Sequence, residues 1–239
     1  MKTSFQTEKT IGWLLIAGAI GVLIPYTILT ILFDYPLILR LDTGVVLTRF
    51  HEGGSRLIRT WLFFALAGLP LLPAYIRIGQ KLENKSAWTR IATTVGVIGL
   101  IVQMIGLLRW TFVVPVLANS YVQATDEATK SAAVMAFRTI HQFAGVLLGE
   151  HLGQLFTIIW TILISITFAK LKLFPRWLNL LGLVSALVYA LAQAELLATV
   201  MPGFPVWSMA GFIGSTLWLI WLLVIGIRFL FVPKINSLQ

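Results

Sequence analysis

No cysteine occurs anywhere in the 239 residues. That excludes disulfides, thiolate metal sites, iron–sulfur clusters and cysteine nucleophiles. Acidic residues are scarce: nine Asp and Glu stand against 18 Lys and Arg, for a formal net charge of +9. Charged residues make up 11% of the chain, less than half of the ~25% usual in soluble domains. Histidine is limited to three positions, His51, His141 and His151. No Ser-His-Asp arrangement, Walker loop, GxGxxG or HExxH spacing is present, and no DNA-binding signature. No low-complexity tract, internal repeat or domain linker interrupts the chain, which reads as one helical membrane domain over residues 1–239.

What the chain has is apolar length. It is 58% hydrophobic, with a mean hydropathy of +0.90. A bilayer span needs about 20 such residues. Six segments qualify: Ile11–Phe33, Leu57–Ile78, Ile91–Trp110, Gly149–Ala169, Trp177–Leu197 and Trp207–Phe229. The expected fold is all-α and integral to a membrane, a bundle of six transmembrane helices. The first apolar run is too long for a signal-peptide core and has no small-x-small cleavage site, so it is expected to be retained. Trp61, Trp88, Trp110, Trp177 and Trp207 mark span ends, where interface anchoring places them. In a soluble protein a charge of +9 would suggest nucleic acid. Here the basic residues lie between apolar runs and serve topology and contact with anionic headgroups, so membrane lipids and not nucleic acid are the expected partners.

The basic residues also set an orientation. Lys2, Lys9, Arg77, Lys81, Lys85, Arg90, Lys170, Lys172, Arg176, Arg228 and Lys234 fall on one side; Arg40, Arg49, Arg56, Arg59, Arg109, Lys130 and Arg138 fall on the other. The richer side is expected to be cytoplasmic, with both termini inside. The poorer side is six Arg to one Lys. Arg suits forked pairing with carboxylate or phosphate, so that face is expected to be structured.

Two long connections lie on the Arg-rich side. In the first, Tyr35-Pro36 breaks the first helix, and Val45, Val46 and Phe50 suit a short amphipathic helix. Gly53-Gly54 then turns the chain, and Ser55 is placed to cap the second span. In the second, Pro115 ends the third span and Thr125, Asp126 and Glu127 start a helix. No breaker follows until Lys170, so the fourth span is expected to extend outward as one long helix.

That long helix carries the most informative stretch, FRTIHQFAGVLLGEHLGQLFTIIWT (residues 137–161). Gly145, Gly149 and Gly153 recur every four residues and make a groove for close helix approach. Glu150, Gln154, Thr157, Thr161 and Ser165 recur on a separate stripe at about 100° per residue. Similar stripes of small and polar residues occur around Gln103 on the third span, Ser185, Tyr189 and Gln193 on the fifth, and Ser208, Gly211 and Ser215 on the sixth. Interhelical packing accounts for them, and the alternative is that, together with the Glu150 stripe, they line a polar crevice open to the outside.

Counting ~1.5 Å per residue brings Arg59, Arg109, Glu150, His151 and Glu195 to similar depth. Intramembrane acids normally face the bundle, pair with a base or mark a functional path. Glu150 paired with Arg109 or Arg59 would satisfy a purely structural role as well. The candidate ligand-binding set is Arg59, Arg109, Arg138, His141, Glu150, His151, Gln154 and Glu195. The leading expectation is an outward-facing polar crevice holding an anionic amphiphile or lipid-linked small molecule, with Arg59, Arg109 and Arg138 as a positive clamp. The competing expectation is a membrane enzyme with Glu150 as acid or base and His151 or His141 as proton shuttle. A transporter is disfavoured without a repeat or paired broken helices. No cofactor and no metal are expected. A b-type haem is the alternative, and it needs His51 folded inward, since His141 and His151 lie ~15 Å apart along one helix.

The strings DYPLILR, FHEGGSRLIRTW, LLRWTFVVPVLA, HQFAGVLLGEHLG and FPRWLNLLG occur in this order. In them the chain resembles an uncharacterised family of small bacterial polytopic membrane proteins, domain-of-unknown-function family 4386. The likeness covers most of the chain after about Leu32. It implies a multi-pass protein of the bacterial cytoplasmic membrane and carries no reaction, cofactor or site.

Overall fold

The computed structural model describes residues 2–231, with side chains from residue 8 onward. Lys234 and the side chain of Lys2, both assigned above to the cytoplasmic side, lie outside what is described. The described residues are helical, with no strand among them. Ten α-helices follow in order: α1 Lys2–Phe33, α2 Thr43–Leu66, α3 Leu71–Leu82, α4 Trp88–Phe112, α5 Val114–Gln123, α6 Glu127–Ile140, α7 Gly153–Lys170, α8 Arg176–Leu191, α9 Gln193–Ala198 and α10 Ala210–Phe231. A 3₁₀ turn covers Leu37–Arg40, and a π-helix, His141–Leu152, joins α6 to α7. Six stretches are long and apolar enough to cross a membrane: Glu8–Phe33, Thr43–Leu82, Trp88–Gln123, Glu127–Lys170, Arg176–Ala198 and Ala210–Phe231. The chain is thus a multi-pass, all-helical membrane protein.

Local chemistry explains most boundaries. α1 ends where Asp34 takes a positive φ of 52° and Pro36 follows, since proline cannot continue the ladder. The Asp42 carboxylate accepts the Gly44 backbone N–H at 2.8 Å and caps α2. Gly54 adopts φ 52°, ψ −151° inside α2, a conformation open to glycine and strained for other residues. The expected turn is therefore a kink within one helix. Before it, Val46, Leu47 and Phe50 are buried while Val45, Arg49 and Glu52 are exposed, so the amphipathic outer helix is the first half of α2. Asp126 accepts the Thr129 backbone N–H at 2.9 Å and its hydroxyl at 2.8 Å, and α6 starts there.

Two breaks and one change of helix type depart from the sequence-based spans. The second is interrupted between Leu66 and Leu71, ahead of which Pro70 sits; the residue before a proline is disfavoured in helix. The fifth breaks at Ala192, between α8 and α9. The long fourth helix is unbroken, but twelve of its residues are π-helical. Their turns close i→i+5 and are wider than α turns. Stripe and spacing arithmetic at 100° per residue therefore holds from Gly153 onward and not across His141–Leu152, where Glu150 and both histidines of that helix lie.

By contacts the described chain forms two compact units. The internal unit comprises Gly21–Gly68 and Val102–Glu150; the terminal unit comprises Leu69–Ile101 with the chain up to Ile20 and from His151 onward. In the terminal unit α7 packs on α8 and α8 on α10. Its core joins Ile11, Leu15, Tyr75, Trp160, Phe168 and Trp221, with Tyr75 and Trp160 stacked at 3.7 Å. In the internal unit α2 packs on α5 and α6. Its core is aromatic: Phe33, Phe50, Trp61, Trp110 and Phe137 are all buried. Trp61 and Trp110 stack at 4.6 Å with planes 11° apart. Both are fully buried, so these two are core residues and not the interface anchors the span ends suggested. Trp88, Trp177 and Trp207 are about half exposed, as anchors require.

Candidate functional site

The internal unit centres its polar chemistry on Arg109, near the C-terminal end of α4. Arg109 is 6% exposed. Its guanidinium carbon lies 5.2 Å from the Trp110 ring centroid, within cation–π range. On another side is Gly145 of the π-helix: a Cβ there would come within 2.6 Å of Nη2 and 2.8 Å of Cζ. Only glycine leaves room for the guanidinium against that backbone. Nη1 donates to the Gly106 carbonyl. Nη2 lies 3.4 Å from His141 Nδ1. Arg carries donors only, so Nδ1 accepts and the neutral imidazole holds its proton on Nε2. Phe137 stacks on His141 at 5.4 Å, one α-turn earlier, and Trp110 meets its ring edge-on. Glu150 is half-buried and acts on Arg109 through its charge. The Nε–H of Arg109 is buried and makes no hydrogen bond.

The glycine face creates this closeness. A Cβ on Gly106 would stand 2.6 Å from the Gly149 Cα and 2.7 Å from the Ala144 carbonyl. α4 and the π-helix thus meet backbone to backbone at Gly149, a close approach expected of glycine though not set by α-helical spacing. In the terminal unit Gly99 meets Phe156 and the Gly153 carbonyl in the same manner.

The terminal unit holds a second polar group. His151 Nδ1 lies 2.7 Å from Gln193 Oε1, and Gln193 Nε2 donates to Gln154 Oε1 at 2.9 Å. The second bond orients the Gln193 amide, so its oxygen faces His151 and Nδ1 must carry the proton. Nε2 is left as an acceptor. All three side chains are half-buried. Further along the stripe Thr161 Oγ1 accepts from Trp218 Nε1 at 3.1 Å. Ser165 is fully buried and sits where a Cβ on Gly182 would collide with it. This part of the stripe joins helices of one unit.

The remaining expected site residues are placed as follows. Arg59 is exposed and donates to the Ser55 carbonyl of its own helix at 3.2 Å. Arg138 is exposed and donates to Thr43 Oγ1 at 3.2 Å. Glu195 is half-buried on α9, and His51 is exposed on α2. Arg59, Arg109, Arg138, His141 and Glu150 belong to the internal unit; His151, Gln154 and Glu195 belong to the terminal one. No group of three His, Asp or Glu able to hold a metal ion occurs among the described residues.

Sequence reasoning missed three features. Glu8 and Lys81 form a buried ion pair at 2.6 Å in the terminal unit; no local pattern joins residues so far apart. Gln193 was placed on a packing stripe, yet it is the hub of the His151 group. An open depression of about 420 Å³ is lined by Asp42, Thr48, Arg49, Glu52 and Tyr121 with Gly44 and Val45; the alternation of charge in α2 was its only signal.

No curated protein and no solved structure matches this chain. The family described as "Domain of unknown function (DUF4386)" matches residues 10–226. With that match over nearly its whole length, and with five motifs carried on six membrane-crossing stretches, the chain belongs to this family of unknown function.

Proposed function

We propose that this protein is a membrane binding protein whose internal unit recognises the anionic headgroup of an amphiphile, with Arg109 as the recognition centre. One observation carries the proposal: a guanidinium nine-tenths buried with an N–H left over. Burying a charge is expensive in any low-dielectric setting. An ionisable side chain within a membrane span is by default a functional residue. A charged N–H without a partner can donate one charge-assisted hydrogen bond to a carboxylate or phosphate oxygen. The π-helix supports the same proposal, since such turns occur frequently at functional sites. Arg59 and Arg138, both exposed, then serve as an outer electrostatic approach and not as part of the clamp.

The proposal puts the protein in the bacterial inner membrane, with both termini cytoplasmic and the two long Arg-rich connections outside, on the bias of its basic residues. A periplasmic-active reporter fused after Asp42 or Thr125 is active, and one fused after Lys85 is silent. For the site, the protein and its Arg109→Gln variant are purified in mild detergent and their retained lipids identified by native mass spectrometry. The native protein retains anionic species and the variant loses them at an unchanged melting temperature. Arg109→Lys, which keeps the charge without the fork, retains them partially. Equal retention in all three defeats the proposal.

A second proposal rests on His151. Its Nδ1–H is held by Gln193 and its Nε2 is left to accept a proton, the arrangement of a general base. His141 suits this less, because its Nδ1 already faces Arg109. His151→Gln abolishing a turnover that Gln193→Ala only weakens would establish it. A visible-light spectrum of the purified protein tests the haem alternative: a Soret band establishes haem b.

A further inference from the structure

The open depression on the internal unit is chemically unlike the Arg109 centre. Its wall carries both signs of charge: Arg49 on one hand, Asp42 and Glu52 on the other. Thr48 and Tyr121 add two hydroxyls. It is open to its surroundings, about 420 Å³ in volume, so it can hold a headgroup at its rim without enclosing a whole molecule. Arg49 spends one nitrogen on Asp34 and keeps donors over. Asp42 spends one oxygen on capping Gly44 and keeps the other. Glu52 is exposed. Leu37, Leu41 and Val45, in the same stretch of chain, are large exposed apolar residues, as a surface in contact with acyl chains requires.

We infer that this depression binds a group carrying a phosphate and a primary ammonium together, the chemistry of phosphoethanolamine. Arg49 and Tyr121 hold the phosphate oxygens, while the Thr48 hydroxyl donates to the Gly44 carbonyl at 2.8 Å. Glu52 and the spare oxygen of Asp42 accept from the ammonium. A purely anionic ligand would meet two carboxylates and a purely cationic one would meet Arg49, so only a ligand with both charges satisfies the whole lining. The group comes either from a membrane phospholipid or from the free compound.

The full-length protein is reconstituted in nanodiscs of phosphatidylethanolamine, phosphatidylcholine or phosphatidylglycerol, each diluted in one neutral carrier lipid. Retained lipid is quantified by native mass spectrometry. In parallel, O-phosphorylethanolamine is titrated against the detergent-solubilised protein and followed by melting temperature. Preferential retention of phosphatidylethanolamine, reduced about tenfold by Glu52→Gln, supports the proposal; a lost hydrogen bond to a charged group has that size. Phosphatidylcholine has no ammonium N–H and is discriminated against for the same reason. A melting shift with the free compound alone, again lost in Glu52→Gln, supports the same site with a soluble ligand. Arg49→Gln abolishes both, and if it fails to fold, Glu52→Gln, which removes no ion pair among the described residues, still decides. Equal retention of the three lipids without a response to the free compound, or binding unchanged in Glu52→Gln, overturns it. Loss of Arg109 does not change this binding, so its failure and that of the anionic-headgroup proposal are separable.

Discussion

The two units treat their buried charges differently, although both bury neutral polar atoms without a hydrogen bond, among them Tyr75, Trp160, Ser165 and Asn179 in the terminal unit. In the terminal unit the buried charges close on each other, and several polar side chains do the same. Glu8 meets Lys81, His151 meets Gln193 and Gln154, and the indoles of Trp218 and Trp221 find Thr161 and the Leu178 carbonyl. In the internal unit a cation is set among aromatic rings, held by one carbonyl and one imidazole with the charge of Glu150 acting on it, and its Nε–H makes no hydrogen bond. Paired buried groups act as locks, because removing one partner strands the other. A buried cation with a donor left over is the feature on which the proposed recognition role of the internal unit rests.

The largest expected effect tests the lock. Lys81→Met leaves the Glu8 carboxylate buried opposite a thioether and is expected to cost about 3–5 kcal/mol. Adding Glu8→Leu recovers most of it, since apolar packing often replaces a buried pair without loss. Detergent melting of the single and double variants checks this; a Lys81→Met protein as stable as the native one would remove the distinction between the units.

Next in size is the backbone contact in the internal unit. Gly106→Ala places a methyl 2.6 Å from the Gly149 Cα and is expected to cost about 1–3 kcal/mol from overpacking. Gly149→Ala meets its nearest atoms at 3.3 Å and is expected to cost clearly less, whereas Gly149→Leu returns to the larger cost. An inverted order of Gly106→Ala and Gly149→Ala in the melting series would show that α4 and the π-helix do not meet as described.

A smaller effect separates the two histidines. Gln193→Leu deletes two hydrogen bonds and is expected to cost about 1 kcal/mol. Nitrogen NMR of labelled histidine shows His151 losing its Nδ1–H tautomer preference while His141 keeps its Nε2–H form. Movement of both signals together would merge what the contrast keeps apart.

The smallest effect is the Asp126 cap. Hydrogen bonds from the Thr129 backbone and hydroxyl hold its carboxyl below the ordinary aspartate range. A depressed folded pKa adds stability that is fully present above the unfolded value and is lost as pH falls through the folded one. Native protein is expected to melt progressively earlier below about pH 4, where free aspartate protonates, and Asp126→Ala flattens that slope slightly. An identical slope in the variant would show the cap to be idle.

Much of the fold was legible because it is local. A bilayer span needs about 20 apolar residues, and its backbone must satisfy itself, so membrane character and the six crossings follow from composition alone. Gly145, Gly149 and Gly153 announced a close helix contact, and Asp126 announced a helix start. The site was legible only in its parts list. Arg109, His141, Glu150 and His151 could be named as unusual, but Arg59 looked equivalent to Arg109 in depth and type, and only packing shows one exposed on its own helix and the other enclosed.

The sequence by itself determined that the chain is a multi-pass helical membrane protein, because hydropathy acts residue by residue. Tertiary structure alone decided that Trp61 stacks on Trp110, that Glu8 finds Lys81, that Gln193 orients His151, and that twelve residues of the long helix open into π turns against Gly106. These outcomes depend on side chains 42 to 73 residues apart meeting in one place, and the period of a single helix carries no record of what its neighbour presents.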